Sequence, residues 1–345
     1  MARAILQTVA YADVFDYPLS GAELTRYLVG VPATREQVER AMSDAPLARG
    51  LARRDDLIAL PGQERLFDLR RRRAAVAAEL WPHALIYGRR IAALPFVRMV
   101  AITGALAMDN VDGRLDMDYF IVTRQGRLWL CRAQIITLVR LARLQGHEIC
   151  PNFLVTEQAL SIEEHNLYTA HELAQMVPIS GMATYGRMRS INAWTETYLP
   201  NAGGPARPMG PIQFTPWPFR RLAESVLSTR FGSWLEGWEM KRKIAKLSRQ
   251  TTDHGRRTTE DGQGTADVIM APGHQGTGSL SARGAESPQR PGADHTGPSS
   301  TVHGPWSRPE AAFSPDRCKG HFERHGERTL AAFEARLAGL QDDWG

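Results

Sequence analysis

The chain has 345 residues, is 43% hydrophobic and carries a formal net charge of +5. This length allows two or three domains, and the modest positive charge permits contact with nucleotides or nucleic acid without requiring it. The three cysteines form no Cys-x-x-Cys pair, the N-terminus lacks a signal-like apolar run, and no stretch of about 18 uncharged apolar residues occurs. We therefore expect a cytoplasmic protein without a disulfide scaffold or a membrane partner.

The first 62 residues have the pattern of a small helical module. Apolar residues at helical spacing predict a first helix over residues 2–14. Ser20 with Glu23, and Thr34 with Gln37, form two capping-box pairs, in which each side chain bonds the backbone N–H of the other residue. The two pairs predict that two further helices begin there.

Two short segments, residues 51–54 (LARR) and 57–60 (LIAL), follow these helices, are joined by Asp55 and Asp56, and predict a two-stranded hairpin. Three helices and a hairpin are the element order of a winged helix-turn-helix, which we predict over residues 1–62. The third helix carries as many acidic as basic residues, which weakens a DNA-reading role because affinity for DNA depends on phosphate neutralisation. DNA contact and a packing role both stay open for this module.

A long helix and three strands are predicted in the next hundred residues. The helix covers about residues 64–94, and strands follow at 97–103, 116–123 and 150–156, where β-branched and other apolar residues are concentrated. A strongly apolar helix over 128–144 separates the last two strands. We predict a core domain over residues 63–165 and a helical region over 166–249.

The composition changes abruptly near residue 250. From there to residue 316 the chain is rich in Gly, Ser, Thr, Pro, His and Arg and poor in apolar residues. Such a segment cannot bury enough surface to offset the entropy of ordering it, so we predict disorder over 250–316. Helical periodicity returns over 317–345 and predicts a terminal helix that packs against the body of the protein.

Two aspartates at the start of the second core strand are the strongest functional signal. Asp116 and Asp118 are two residues apart, so in a strand they lie on one face. Adjacent carboxylates repel unless a cation lies between them, and Mg²⁺ prefers one or two carboxylates plus substrate phosphates. Upstream, Thr103 ends a strand, and Gly104 and Ala105 form a turn whose backbone N–H groups suit phosphate oxygens. These five residues predict a metal and nucleotide site.

Residues 100–107 (VAITGALA) and 115–122 (LDMDYFIV) resemble the nucleotidyltransferase superfamily of the DNA polymerase beta type. Its signature is an apolar strand, a Gly-Gly or Gly-Ser turn, a spacer of roughly ten residues and an Asp-x-Asp or Asp-x-Glu strand. Residues 12–19 (ADVFDYPL) also resemble the winged-helix leader of bacterial proteins with this domain. The resemblance implies an α/β (α+β) fold: a small mixed-sheet nucleotidyltransferase core, an N-terminal winged helix-turn-helix and C-terminal helices.

The resemblance also implies a reaction. Asp116 and Asp118 would bind two Mg²⁺ ions, with Mn²⁺ as a substitute, and Thr103, Gly104 and Ala105 would bind the nucleotide. The protein would transfer a nucleoside monophosphate from an NTP to an unknown acceptor, which is a small molecule, a protein or a nucleic acid.

The chain departs from the family pattern at two positions. Ala105 stands where the family usually has Ser or Gly, so a hydroxyl contact is lost while the backbone N–H remains. Family members commonly carry a third carboxylate on a later strand, where this chain offers Asn152, and an amide cannot act as a base. Glu157, at the end of that strand, is the nearest carboxylate and our candidate third catalytic residue. The alternative is a catalytically impaired nucleotide-binding or DNA-binding regulator on the same fold.

Three weaker signals favour structural roles. The basic run Arg70–Arg73 suits a solvated helix face better than a phosphate site. Cys318, His321 and His325 have a spacing compatible with zinc but no fourth ligand nearby. His171 follows the third strand and is expected to be a satisfied structural histidine.

Overall fold

The computed structural model describes residues 1–44, 47, 50–113, 116–209, 220–260, 314–319 and 325–344. The chain divides into two compact units, Met1–Ala245 with Pro309–Gly345, and Lys246–Arg308. In the second unit, helical backbone is described up to Glu260. The candidate site and the surfaces discussed below all lie in the first unit.

The described residues form twelve helices and two small sheets, which confirms the α+β class. The division into five segments stays a prediction. Among the described helices, none combines the length and the hydropathy needed to cross a lipid bilayer.

The N-terminal residues form three helices and a three-stranded antiparallel sheet. Both predicted capping boxes are present: Ser20 with Glu23, and Thr34 with Gln37. The predicted hairpin is also present, but its second strand pairs on its other side with a two-residue strand that the pattern was too short to indicate. The elements are α1 (Ala2–Asp13), β1 (Leu19–Ser20), α2 (Gly21–Arg26), α3 (Arg35–Ser43), β2 (Ala52–Arg54) and β3 (Leu57–Ala59), with sheet order β1-β3-β2.

The second sheet has five strands in the order β7-β4-β5-β6-β8. It is mixed, since β5 and β6 are parallel and the other neighbours are antiparallel. The three predicted core strands are its centre, whereas the short edge strands β7 and β8 were not predicted. The strands are β4 (Val97–Ile102), β5 (Asp116–Thr123), β6 (Glu148–Thr156), β7 (Val177–Ser180) and β8 (Arg317–Lys319).

Helices cover both faces of this sheet. On one face, Tyr119 and Ile121 pack in a core with residues of α4 (Arg65–Ala93) and α6 (Leu128–Leu144). On the other face, Phe120 and Val122 pack with residues of two helices, Leu167–Gln175 and Met182–Ile191. The remaining helices are α5 (Gly104–Ala107), α7 (Leu167–Gln175), α8 (Met182–Ile191), α9 (Thr195–Tyr198), α10 (Arg220–Leu227), α11 (Arg230–Glu260) and α12 (His325–Trp344).

The terminal helix α12 packs against the N-terminal helix, as predicted. Arg336 Nε donates to Asp13 Oδ2 at 2.6 Å, and the Phe333 ring lies edge-on to Tyr11 with centroids 5.6 Å apart. Asp13 is buried, so this charge-assisted hydrogen bond offsets part of the cost of burying its carboxylate.

Disorder over 250–316 stays a prediction, and the structure describes backbone at both ends of this segment. Helix α11 continues to Glu260, because a helix that is already formed adds one hydrogen bond for each further residue. At the other end, the Asp316 carbonyl accepts a hydrogen bond from Thr156 N at 3.0 Å, next to strand β8. Residues 261–313 lie outside the described part of the chain.

The sequence pattern of residues 161–176 predicts a helix, which is shorter in the structure. Helix α7 begins only at Leu167, because the Asn166 side chain accepts a hydrogen bond from Thr169 N and caps it there. The pattern of residues 219–247 predicts one long helix or two, and the structure has two, α10 and α11.

Candidate functional site

The antiparallel pairing of β4 and β5 brings the predicted turn to the predicted aspartates. Ile102 at the end of β4 is paired with Tyr119 of β5. One residue further, Thr103 N donates to the Asp118 carbonyl oxygen at 3.1 Å. The chain then leaves the sheet at Gly104, which begins the short helix α5 directly beside Asp118.

Gly104 is in contact with the Asp118 carboxyl group and cannot be replaced without a collision. Its φ angle is +67°, in the left-handed region that residues with a side chain rarely adopt. A Cβ atom built on Gly104 would overlap Asp118 Oδ2 and lie 3.3 Å from Asp118 Cγ. The absence of a side chain therefore lets the turn approach the carboxylate.

Asp116 and Asp118 occupy one face of β5, and the strand holds them on a rigid base. Met117 and Tyr119, which alternate with them, are fully buried on the opposite face. Both aspartates are only partly buried, so they are accessible to a ligand from solvent. The Tyr119 hydroxyl donates to the Ala84 carbonyl at 2.7 Å and ties the strand to helix α4.

The surroundings of Asp118 disfavour the negative charge of its carboxylate. Burial raises the pKa of Asp118 to about 6, a hydrogen bond from the Cys150 thiol opposes the rise, and the charge of Asp116 adds to it. Burial, followed by the charge of Asp118, raises the pKa of the Cys150 thiol to about 12. A cation bound between the aspartates would remove this repulsion and favour the ionised carboxylates.

Strand β6 contributes two residues that the sequence pattern did not assign to the site. Glu148 is paired with Asp116, and Cys150 is paired with Asp118, in the parallel register of β5 and β6. Because directly paired residues share a face, Glu148 and Cys150 lie on the face of the aspartates. The predicted strand began only at Cys150, so Glu148 was missed. The alternation of Glu148, Ile149 and Cys150 was the signal that could have extended the strand.

A bulge in β6 decides where Asn152 lies. The register shifts by one residue between the pairs Asp118 with Cys150 and Phe120 with Phe153. Asn152 is buried within this bulge, and its Oδ1 has no hydrogen-bond partner among the described residues. The buried Oγ1 of Thr103, the residue directly after β4, is likewise without a partner in the described part of the chain. Buried polar atoms left in this way commonly mark a missing ligand or water.

The structure does not bring Glu157 to the aspartates, so its prediction as the third carboxylate is corrected. Glu157 N donates to the carbonyl of Thr123, the last residue of β5, at 2.9 Å. Five residues separate Asp118 from Thr123, which at about 3.3 Å per residue places Glu157 roughly 16 Å along the sheet. The Glu157 carboxylate instead lies 3.8 Å from Arg98 Nε.

The donor set fits Mg²⁺ held jointly with a substrate. Within the described ranges, no group of three or more His, Cys, Asp or Glu side chains is arranged to hold a metal ion. Mg²⁺ does not require such a cage, because it commonly binds one or two carboxylates and takes its other ligands from phosphates and water. Asp116 and Asp118, with the approach left open by Gly104, provide this arrangement.

The loop between the turn and the aspartates is held by the N-terminal part of the chain. Arg70, whose side chain is only 12% exposed, donates to the Asp109 carbonyl and to the Tyr17 hydroxyl, both at 2.8 Å. Tyr17 donates in turn to the Met108 carbonyl at 2.9 Å, and Trp81 Nε1 donates to Asp109 Oδ1 at 2.7 Å. The basic run on α4 is therefore partly a structural clamp, whereas a solvated face was predicted.

The basic residues that could favour DNA contact have partners within the protein. Arg35 on α3 pairs with Glu39 at 2.7 Å, and Arg54 on β2 pairs with Asp68 at 3.1 Å. These exposed pairs are weak and could open.

Comparisons of the chain with models of protein families, with curated proteins and with solved structures found no match. A functional proposal therefore depends on the geometry of the site: the contact of Gly104 with Asp118, the paired carboxylates of β5 and the register of β6.

Proposed function

We propose that this protein is a magnesium-dependent nucleotidyltransferase that moves a nucleoside monophosphate from an NTP to an acceptor hydroxyl. The observation that carries the proposal is the contact between Gly104 and the carboxyl group of Asp118. The sequence separates these residues, and the antiparallel pairing of β4 and β5 brings the two features of the family signature together, as a single site requires. The catalytic core would consist of β4, α5, β5, α6 and β6.

Each residue of the site has a role that its position supports. Asp116 and Asp118 hold the metal from one face of β5. Gly104 keeps the space beside Asp118 open, and the N–H groups at the start of α5, including that of Ala105, lack helical partners and can donate to phosphate oxygens. Bound Mg²⁺ supplies positive charge to the triphosphate and to the departing pyrophosphate. Thr103 fixes the turn through its bond to the Asp118 carbonyl.

Such a site also needs a group that accepts the proton of the attacking hydroxyl. Glu148 is the carboxylate that β6 places on the face of the aspartates, paired with Asp116. Asn152, at the position where the family pattern suggested a third carboxylate, is an amide and cannot take a proton. We assign the base to Glu148.

A second candidate function has support from the same strand. Cys150, a neutral thiol, occupies the place directly beside Asp118, and Asn152 is buried in the bulge. A site with two carboxylates and no third could bind a magnesium–NTP complex without turning it over. The protein would then be a nucleotide-binding regulator, with its N-terminal helices and sheet as a winged-helix module for packing or DNA contact. We propose a cytoplasmic location under either candidate function.

Release of pyrophosphate is the test of the enzyme. The protein is incubated with each labelled NTP and Mg²⁺, and pyrophosphate and nucleotidylated products are measured, including on the protein itself. We expect Asp116→Asn and Asp118→Asn to abolish the release, and Glu148→Gln to lower it at least a hundredfold as expected for a general base. Glu157→Gln is the matched control, because the same chemical change is made at the far end of the strand.

The regulator predicts a different result from the same variants. It predicts that Mg²⁺ and NTP together raise the thermal stability of the protein, that Asp116→Asn removes this shift, and that no pyrophosphate appears. Its DNA-binding form additionally requires salt-dependent binding to duplex DNA. If neither NTP nor Mg²⁺ changes thermal stability and no product forms, both candidates fail.

A further inference from the structure

Three aromatic side chains stand exposed along one side of helix α11. Phe231, Trp234 and Trp238 are 56%, 63% and 50% exposed. Their spacing of three and four residues places them on one face of the helix. Large aromatic residues are highly buried on average in folded proteins, so three exposed ones on a single helix face indicate a binding surface.

The opposite face of α11 is fixed to the body of the protein. The buried carboxylate of Glu236 accepts the N–H groups of Trp129 and Leu130, each at 2.8 Å, at the start of helix α6. Met240 and Ile244 pack against the main core. Because Glu236 and Met240 are anchored inward, the helix cannot rotate to bury Trp234 and Trp238.

The preceding helix, α10, repeats this arrangement. Its Glu224 accepts the N–H of Phe96 at 2.8 Å and faces the body of the protein. Leu222 and Val226 lie two residues to either side of Glu224 and are 62% and 49% exposed. Both helices therefore present apolar side chains on the face turned away from their anchoring glutamates.

The charges of this segment are divided between the two faces. Over residues 220–245 the acidic residues are Glu224, Glu236 and Glu239, and each binds a protein partner: Glu239 accepts from Arg242 at 2.6 Å and is buried. The exposed charged side chains there are all basic, namely Arg221, Arg230, Lys241 and Arg242. The outward face is therefore apolar and positive.

The aromatic rings are better placed for burial in an apolar phase than for stacking on bases. Phe231 and Trp234 stack on each other with centroids 6.1 Å apart, and the Arg242 guanidinium lies over the Trp238 ring at 5.1 Å. Each ring thus already has a neighbouring side chain within the protein, whereas single-stranded nucleic acid is bound by stacking on open ring faces. The aliphatic side chains of Leu222 and Val226 add nothing to base recognition, but they suit the boundary between the headgroups and the acyl chains of a bilayer.

We propose that α10 and residues 230–245 of α11 form a peripheral membrane-binding surface for anionic lipid. Amphipathic helices with aromatic and aliphatic residues on one face and flanking Lys and Arg lie in the plane of the bilayer boundary, with their affinity raised by anionic headgroups. Such a helix lies on the bilayer and does not cross it. The proposal revises the expectation of no membrane partner and is independent of the proposed enzymatic function.

The test is sedimentation of the full chain with vesicles. We expect binding to vesicles of phosphatidylcholine with phosphatidylserine, at least tenfold weaker binding to phosphatidylcholine alone, and loss of binding as salt screens the basic residues. Quenching of tryptophan fluorescence by brominated lipid reports direct ring contact. The double variant Trp234→Ser with Trp238→Ser should bind at least tenfold more weakly and lose most of the quenching.

Two further variants keep the test decisive. Leu141→Ser with Leu144→Ser is the matched control, because these residues are 52% and 83% exposed on helix α6, outside the surface, and binding should not change. Arg230→Glu with Lys241→Glu leaves the apolar residues in place and should abolish binding to anionic vesicles, even if the tryptophan variant folds poorly.

Several results would overturn the proposal. One is no binding to anionic vesicles at low salt, and another is equal binding by the wild type and both surface variants. A third is binding of single-stranded RNA that depends on Trp234 and Trp238 and is unaffected by vesicles, which would make the surface one for nucleic acid. A fourth is a dimer in solution that the tryptophan variant disrupts, which would make it an interface between copies of the chain.

Discussion

Replacement of Asp118 by asparagine should make the metal-free protein more stable at neutral pH, although it removes the proposed function. The side chain keeps its shape and can still accept the hydrogen bond of the Cys150 thiol, but it no longer carries charge. Burial raises the pKa of Asp118 from 3.8 to about 6, and each pKa unit corresponds to about 1.4 kcal/mol. The ionised carboxylate therefore costs about 3 kcal/mol of folding free energy at pH 7.5.

The pH dependence follows from the direction of this shift. Between pH 4 and 6 the folded protein holds a proton on Asp118 that the unfolded chain has lost, so its stability falls as the pH rises through this window. Well above pH 6 both states are ionised at Asp118, and the free-energy cost of its ionisation no longer changes with pH. Asp118→Asn should match the wild type near pH 4 and exceed it by about 2 to 3 kcal/mol, or about 5 °C in melting temperature, at pH 7.5.

Urea unfolding in EDTA, at pH 4.5 and pH 7.5, measures this difference. Glu157→Gln is the control and should change stability by no more than about 0.5 kcal/mol at either pH, since it affects only a partly exposed ion pair whose atoms are 3.8 Å apart. Added Mg²⁺ should stabilise the wild type and not Asp118→Asn. An asparagine variant that is less stable than the wild type at pH 7.5, or a difference that does not vary with pH, would refute the account of the site as a destabilising pair of carboxylates.

Three further predictions concern neighbouring parts of the structure. Gly104→Ala should cost about 1 to 2 kcal/mol for its left-handed backbone and displace Asp118, so magnesium-dependent NTP binding should be lost; unchanged binding in a calorimetric titration would contradict the contact. His171 is buried against the Tyr11 ring, and burial lowers its pKa from 6.5 to about 3. Because the unfolded chain gains a proton on His171 that the folded protein does not bind, the free energy of unfolding should fall by about 2 kcal/mol from this group as the pH is lowered from 7 to 5. Urea unfolding at both pH values should show that His171→Phe lacks this loss. Arg70→Met should lower the free energy of unfolding by about 3 kcal/mol in urea, because it leaves the partners of a mostly buried guanidinium unpaired. Arg72→Met, at an exposed position of the same helix, should lower it by under about 0.5 kcal/mol. Equal effects of the two substitutions would show that the clamp is not formed.

The elements that could be predicted from the sequence are those determined by interactions between residues close together in the chain. The pairs Ser20 with Glu23 and Thr34 with Gln37 determine helix starts through bonds three residues apart, so their positions need no tertiary information. The strand that carries Asp116 and Asp118 is similarly marked by its own alternation and apolar continuation. The shared face of the two aspartates follows directly from strand geometry.

The elements that could not be predicted depend on register and on distant partners. A single-residue bulge at Pro151 and Asn152 shifts every later residue of β6 against β5, and no local pattern announces it. The error on Glu157 has another origin: its closeness to Asn152 in sequence suggested proximity, whereas the extended strand carries Glu157 away from the site. Strand β8 is three residues long and arrives from residue 317, so only its pairing with β6 defines it.

The clamp of Arg70 shows the same limit for charge patterns. Four consecutive arginines on a helix suggest a solvated face, since charged residues are rarely buried without partners. The partners exist here, but Tyr17, Glu23 and the Asp109 carbonyl come from segments up to 53 residues away in sequence. Only the packing of α4 against the N-terminal elements brings them together.

Titration of the protein with a non-hydrolysable NTP analogue, in Mg²⁺ and in EDTA, tests the central claim most directly. The account predicts saturable binding in Mg²⁺ that EDTA abolishes, that Asp116→Asn and Asp118→Asn abolish, and that Glu157→Gln leaves unchanged. Binding that persists in both aspartate variants, or no binding of any NTP analogue by the wild type, would contradict the assignment of Gly104, Asp116 and Asp118 to one metal and nucleotide site.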